Sequence, residues 1–559
     1  MKFFRFFSIR VALLPVMVAV GLMGAFRLRW VSDDAFISFR YAQHLVEGNG
    51  LVFNPGEQVE GYTNFSWTIL VALAMKLGLD PVSFSWGLGI LCYLGCIVLL
   101  WRTSLRMNGE QKGWVVPVAA LAWAIHHHAQ VFATSGLETP LFVLLVTAVV
   151  VFAVEAQSDR SWLVVGVLGT AACLTRPDGG LYYALAVLVA GFEQANRRRA
   201  LALVLLPGLG LGLPYMAWKL HWFGELLPNT FYAKAGNGPR WQEGLHYIVI
   251  YLQMYWVCFL GLLAALFLWV RSGELRTPWS ERRAGAILLA VLLSTGLYVA
   301  RVGGDFMFSR FLLPVTPLAF LALEAAVSRL QAAPVRRLVG LVAVLGVAFA
   351  PYPKEILANE ADNVGHAGVV EERDWYPAEW VSEAARQGAV LSSVLEDTPA
   401  RVAFHGTQAM LVYYGRVPYA LEAHVGLTDR ALARMSPPDG ERVGHGVKAD
   451  LAYLRQRGID FRFDFRLQQP VPSLTRLDLG RGVTGRILTY RNEVMEMLGA
   501  RGAQFVHFPS FLDAYIAEID DMDDAKVQKE YASFLSYYFE HNEDPLRQQA
   551  FESRLAATR

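Results

Sequence analysis

The feature that most constrains this chain is a succession of apolar runs, each close to the length needed to cross a lipid bilayer. A spanning helix needs roughly 20 apolar residues. Runs near residues 8–26, 84–101, 114–132, 138–155, 161–175, 179–192, 201–219, 246–270, 285–300, 310–328 and 337–352 meet or approach that length. Inside lipid every backbone polar group must be satisfied internally, and unbroken apolar runs do this as helices. The pattern therefore predicts a polytopic α-helical membrane protein of about 11 spans. Charge marks where the membrane part ends. Residues 1–352 carry 18 Asp and Glu against 27 Lys and Arg, whereas the remaining 207 residues carry 31 against 23. The first segment is too poor in charge for a water-soluble domain, and the second is ordinary for one. A transmembrane domain over 1–352 and a soluble domain over 353–559 follow. Disorder, a collagenous fibre and an extended nucleic-acid surface are excluded by the same composition. Cys92, Cys96, Cys173 and Cys258 all sit in apolar runs, so they read as small core residues and not as a disulfide framework.

Basic residues orient the spans, because Lys and Arg collect in cytoplasmic loops. Lys2, Arg5 and Arg10 open the chain; Arg102, Arg106 and Lys112 mark the next basic connection, followed by Arg197–Arg199, then Arg271, Arg276, Arg282 and Arg283, and finally Arg329, Arg336 and Arg337. If all are cytoplasmic, the spans alternate without conflict and the C-terminal domain lies outside. The first run has the basic start of a signal peptide but no small-x-small cleavage site, and reads as a retained span. NFSWTILVALAMKL, residues 64–77, is apolar, yet counting it as a span would reverse the 102–112 loop. It reads instead as a helix on the outer membrane face, within one long external loop, residues 27–83.

The loops assigned outside hold nearly all the unusual sequence: SDDAFISFRYAQHLVEGNGLVFNPGEQVEGYTNF, HHHAQVFATSGLETP, LTRPDGG, HWFGELLPNTFYAKAG and RVGGDFMFSR. Ionisable groups beside a membrane are costly and mark function. The pair Asp33-Asp34 follows the first span directly. Such an aspartate could take the proton of an acceptor hydroxyl or anchor a divalent cation, magnesium or manganese, facing a phosphate. Glu60, Glu138, Asp178 and Asp305 are candidates for metal or sugar hydroxyls, with the amides of Asn64 and Asn229 in the same loops. Arg40, Arg176, Lys234, Arg301 and Arg310 suit a phosphate, although acids and bases at helix mouths can equally pair with each other. Tyr62, Trp67, Trp222, Phe223 and Tyr232 fit sugar stacking or an interfacial aromatic belt. Of His126, His127 and His128, no more than one or two could share an ion, since consecutive helical residues diverge. P-loop, dinucleotide and zinc-protease motifs are absent from the sequence.

In the C-terminal part, WYPAEWVSEAARQG and VKADLAYLRQRG read as helices and ARVAFHGTQAMLVYYG as strand then helix. GIDFRFDF and RGVTGRILTYR alternate as strands. Asp520, Asp521, Asp523 and Asp524 lack calcium-loop spacing and read as a solvated helix start. A small external α/β domain is expected.

DDAFISFRYAQHLVEGNGLVFNPGEQVEGYTNFSW, with SGLETPLF and TRPDG after it, resembles the membrane glycosyltransferases of the C superfamily, and within them the mycobacterial terminal arabinofuranosyltransferases of cell-wall arabinan. The likeness covers roughly residues 28–310; in the C-terminal part only HVGLTD, residues 424–429, fits. The resemblance implies an external site in a bacterial plasma membrane, a polyprenyl-phosphate sugar donor (decaprenyl-phosphate arabinofuranose in the family), a glycan acceptor, contact with membrane lipid and no nucleic acid. It places the family's acidic catalytic pair on Asp33 and Asp34; base, metal ligand and nucleophile all stay open as their role. A helix starting at Ala35 would make Asp33 the better cap and leave Asp34 to handle the proton. Two further readings fit the chain: a transferase of another polyprenyl-linked sugar such as mannose, and a non-enzymatic carrier of lipid-linked saccharides. The carrier fits less well, because its ionisable groups belong near the midplane.

Overall fold

The computed structural model describes residues 2–107, 116–193, 196–235, 238–270, 281–353, 356, 369–376, 379–435, 447–464 and 473–556. The basic markers Lys112, Arg271 and Arg276 lie outside the described residues. The chain divides into two compact units, Met1–Glu47 with Tyr62–Ala378, and Gly48–Gly61 with Glu379–Arg559.

The first unit is helical. After α1 (Lys2–Arg27) come α2 (Asp33–Val46), α3 (Phe65–Lys76), α4 (Pro81–Met107), α5 (Val118–Ala124) and α6 (His127–Phe132). There follow α7 (Thr139–Glu155), α8 (Asp159–Thr175), α9 (Gly179–Gly191), α10 (Arg197–Pro207), α11 (Leu213–Phe223) and α12 (Asn229–Ala235). The rest are α13 (Trp241–Met254), α14 (Trp256–Val270), α15 (Glu281–Val302), α16 (Thr316–Val327) and α17 (Ala333–Ala348). Helices that are apolar all round belong inside a bundle, and α7 and α16 show it: Phe142, Val146, Val149, Val151 and Val154 of the one, and Leu318, Phe320, Leu321 and Leu323 of the other, are all buried.

Among the described residues three helical stretches are long and apolar enough to cross a membrane, α4, Arg197–Phe223 and Arg283–Val302, or four if the bent pair α13–α14 is one span. Shorter apolar helices accompany them: Leu13–Arg27, Phe65–Lys76, Thr139–Glu155, Gly179–Gly191 and Leu313–Val327. Sequence alone smooths over three breaks. The 246–270 run bends by 100° between α13 and α14, at the buried Tyr255. The 114–132 run, where described, breaks at Ile125-His126 into α5 and α6. Between α10 and α11 the helix widens into a π-turn over Gly208–Gly212, where a Cβ on Gly208 would stand 2.6 Å from the Tyr183 hydroxyl.

The second unit is α/β. Its six-stranded sheet has the order β2-β1-β3-β5-β4-β6, built from β1 (Arg401–Phe404), β2 (Tyr419–Glu422), β3 (Phe461–Phe463), β4 (Arg476–Asp478), β5 (Thr484–Ile487) and β6 (Gln504–Phe505). β1 pairs in parallel with β2 and β3; the remaining pairs are antiparallel. The edge of β2 is closed by a side chain: the Asn54 amide donates to the Ala420 carbonyl (2.9 Å) and accepts from the Ala420 N–H (2.9 Å), standing in for a neighbouring strand. HVGLTD wraps around the buried Glu422, whose carboxylate accepts from the N–H groups of His424, Val425, Gly426 and Leu427; burial pushes that carboxyl above its ordinary range despite the four donors. The motif is thus a carboxylate-centred turn. In the acidic stretch Asp523 caps the helix Asp524–Tyr537 by accepting from the Lys526 N–H, the helix start its sequence suggests.

Candidate active site

Six of the residues singled out by sequence, together with Asp34, gather at the mouths of helices in the first unit. The chain is stitched to bring this about. Ser32 N–H donates to the Ser135 carbonyl (2.8 Å), the Trp30 indole to Val131 O (2.9 Å), and the Trp67 indole to Gly136 O (3.0 Å). The starts of α2, α3 and α7 are thereby tied to one loop. Gly136 sits in it at φ +79°, where an added Cβ would lie 2.7 Å from a Val31 methyl and 2.9 Å from the Ala35 Cβ; only glycine fits.

α2 begins at Asp33, with Ser32 at the N-cap position. The expectation that Asp33 caps a helix from Ala35 is thereby corrected: both aspartates are inside the first turn. Asp33 is buried and Asp34 half-buried. Asp34 shares a helix face with Ser38, four residues on. The Ser38 hydroxyl donates to Asn64 Oδ1 (3.1 Å), Asn64 Nδ2 to Glu138 Oε2 (3.0 Å), and Arg310 Nη2 to Glu138 Oε1 (3.1 Å). These bonds form a chain Ser38–Asn64–Glu138–Arg310, and Asp34 is among the acids that act electrostatically on Arg310. Beside it Arg176 grips Asp178 through two hydrogen bonds of 2.9 Å, lies 3.7 Å from Glu138, and rests over the rings of Phe142 and Phe311. Arg310 is also 3.6 Å from Asp305. The next residue back, Ser309, holds φ +72°, a conformation costly for a residue other than glycine that persists where surroundings enforce it.

Four carboxylates, Asp34, Glu138, Asp178 and Asp305, thus face two guanidinium groups. Helix ends offset the excess. Asp33 and Asp34 start α2, while Asn64, Glu138 and Asp178 stand at the N-cap positions of α3, α7 and α9, so four positive helix termini meet here and stabilise negative charge. Buried polar atoms nevertheless stay unmatched. Among the described residues Arg176 Nη1, Arg310 Nε and Asp305 Oδ2 have no hydrogen-bond partner, a cost of about 1–3 kcal/mol each that a polar ligand can remove.

Arg40 is buried on α2, where Glu47 is the acid acting on it. Tyr62 packs edge-on against Tyr41 (4.8 Å) and Phe223 (6.4 Å). Glu60 belongs to the second unit. Asn229, Tyr232 and Lys234 share the short helix α12. Sequence reading missed Ser38, for which its i+4 spacing from Asp34 was the available signal. For a divalent cation among the acids the donor set fits poorly. Glu138, Asp178 and Asp305 each face an arginine. Among the described residues the three-donor cluster that does form is His127, His128 and Glu371, which includes neither Asp33 nor Asp34.

No family model matches the chain. Superposition finds ArnT from Cupriavidus metallidurans bound to undecaprenyl phosphate, with a TM-score of 0.53 at 13% identity over 75% of this chain and 87% of that one. It also finds the apo oligosaccharyltransferase of Archaeoglobus fulgidus, with a TM-score of 0.51 at 9% identity over 81% and 69%. The chain shares the fold of these two proteins. Two sequence relatives carry the name terminal beta-(1->2)-arabinofuranosyltransferase. The Mycobacterium tuberculosis protein is 29% identical over 417 residues, 66% of each chain; the Corynebacterium glutamicum protein is 28% identical over 401 residues, 62% of this chain and 55% of its own. The chain therefore spans just under two thirds and just over half of the length of these curated relatives.

Proposed function

We propose that this protein is a membrane glycosyltransferase that moves a sugar, D-arabinofuranose, from a polyprenyl-phosphate donor to a glycan acceptor, at the outer face of a bacterial plasma membrane that it crosses with about eleven spans. The observation that carries the reading is the hydrogen-bonded chain Ser38–Asn64–Glu138–Arg310 beside Asp34, with guanidinium donors that have no hydrogen-bond partner among the described residues. Its chemistry suits a phosphosugar: Arg176 Nη1 and Arg310 Nε would meet phosphate oxygens, and the carboxylates would accept from sugar hydroxyls. The arabinose assignment is supported by the two relatives' names, and the lipid phosphate by the ligand in the ArnT structure.

In the transfer the bond between the anomeric carbon and the phosphate oxygen breaks, and polyprenyl phosphate leaves with the electron pair. A bond from the acceptor oxygen to the anomeric carbon forms, and the acceptor proton passes to Asp34. Asp34 is assigned this task because it is half-buried and faces Arg310, whereas Asp33 is enclosed. Asp34→Asn should lower kcat by about 10²–10⁴-fold, and Asp33→Asn should reduce it less. Transfer of radiolabelled sugar by the purified full-length protein measures both. The reverse order of the two variants would sink the assignment of Asp34.

A further inference from the structure

A second convergence of polar side chains lies in the first unit where α5 breaks into α6, and the transferase reading does not use it. His126, fully buried, occupies the N-cap of α6, its Nδ1 accepting from the Ala129 N–H at 3.2 Å, while its Nε2 has no hydrogen-bond partner among the described residues. His128, also fully buried, has Nδ1 2.6 Å from the Tyr255 hydroxyl and Nε2 2.5 Å from Glu371 Oε2; the Tyr352 hydroxyl donates to that same carboxylate oxygen at 2.7 Å. Tyr255 is the residue at which α13 gives way to α14. The ring of His127 approaches that of His128 edge-on at 5.0 Å. Available nitrogen and oxygen donors of His127, His128 and Glu371 all fall within 4.8 Å of one another.

We propose that His127, His128 and Glu371 form a binding site for a transition-metal ion of the zinc class. His127 and His128 are the first two residues of α6, and their rings nevertheless meet edge-on beside Glu371. Two imidazoles and one carboxylate are a donor set suited to zinc, with a fourth position open to water, whereas magnesium and calcium take all-oxygen shells. Tetrahedral bonds of about 2.0–2.1 Å separate ligand atoms by roughly 3.3 Å, so the pair at 2.5 Å opens and the widest separation closes by side-chain rotation. The surroundings are those of a metal site. Tyr255 fixes His128 through its other ring nitrogen, and Tyr352 orients the carboxylate, as outer-shell partners do.

Such an ion would act as a clamp. Glu371 lies in the segment 369–376, which is laid along the rest of the unit: Phe308 N–H donates to Val370 O (3.0 Å), Val370 N–H to Phe306 O (2.9 Å), Arg373 Nε to Leu28 O (3.0 Å), and Tyr376 stacks on Trp30 at 6.0 Å. That segment thus touches both the loop leading to Arg310 and the turn leading to Asp33. An ion joining Glu371 to α6 would hold the two together. The site stands independently of the transferase proposal, and its test does not use transfer activity.

The test is metal analysis of full-length protein purified in detergent with a tag free of histidine, loaded with zinc and freed of excess. About one zinc per chain is expected. Competition with a chromogenic chelator should show affinity falling by roughly tenfold or more in both His127→Gln and Glu371→Gln, by analogy with the cost of losing even outer-shell partners. Where a variant elutes aggregated, X-ray absorption of the zinc-loaded wild type replaces it, with a shell containing two imidazole nitrogens expected. Wild-type protein that retains no zinc above buffer would overturn the site. So would folded variants that bind as the wild type does, or a shell without imidazole.

Discussion

At the scale of single residues, the site depends on positions where chemistry and backbone shape are both demanded. Gly136 shows the coupling. A methyl at this position must displace Val31 and Ala35, neighbours of the two aspartates, and must also hold φ +79°. Gly136→Ala is therefore expected to cost about 1–3 kcal/mol of stability and to lower transfer more than tenfold by moving the start of α2. Thermal unfolding in detergent and initial-rate transfer would measure the two effects; an alanine variant with wild-type rate would show that the turn does not position Asp34. Much of the cluster was legible in the sequence because a charge or amide beside a bilayer is conspicuous: Asn64, Glu138, Arg176, Asp178, Asp305 and Arg310 stand out from apolar surroundings. What was not legible is which of these pair. Arg40 looks like a phosphate ligand, yet it lies buried with Glu47 acting on it. Glu371 reaches His128 across 243 positions, a distance over which no local pattern carries information.

Among elements, the sequence marks helices by their apolar periodicity but is silent on where a continuous apolar run breaks. The bend at Tyr255 leaves little mark in hydropathy, and it is a place where a buried polar side chain finds a partner: Tyr255 meets His128. The strands of the second unit were readable, since Phe461–Phe463 and Thr484–Ile487 alternate buried and half-buried positions. Their order was not, because pairing joins distant segments. Residues Gly48–Gly61 are the extreme case. They interrupt the helical unit in sequence, yet they close the edge of β2 through Asn54, with Phe53 stacked on Phe404 at 5.9 Å and Glu57 paired to Arg457 at 2.9 Å. Removing the amide leaves the Ala420 N–H and carbonyl without these partners. Asn54→Ala should cost about 1–3 kcal/mol and speed hydrogen exchange at residues 419–422 of the full-length protein. Unchanged exchange there would mean that the edge does not depend on this side chain.

At the scale of the whole molecule, the fold limits the chemistry without choosing the sugar. A shared fold hosts many reactions; the two solved relatives, at 13% and 9% identity, fix architecture only, while the arabinofuranosyltransferase name rests on 29% and 28% identity over part of each relative. Sugar choice depends on a few hydrogen bonds, and one unmatched buried polar group is enough to reject an analogue by 10⁴–10⁵-fold in sites built to bond a hydroxyl. The carboxylates around Arg176 and Arg310 supply such groups, so the donors should separate cleanly. Purified protein supplied with decaprenyl-phosphate arabinofuranose or with polyprenyl-phosphate mannose, and a synthetic oligosaccharide acceptor, is expected to transfer arabinose and not mannose. The Asp33→Asn/Asp34→Asn double variant should transfer neither. Mannose product lost in the double variant would keep the acidic machinery and overturn the donor. Product that survives the double substitution would remove Asp33 and Asp34 from the reaction. If neither donor yields product while the wild type moves a labelled polyprenyl-linked sugar across vesicles, the transferase reading itself falls, because a carrier needs no group to receive the acceptor's proton.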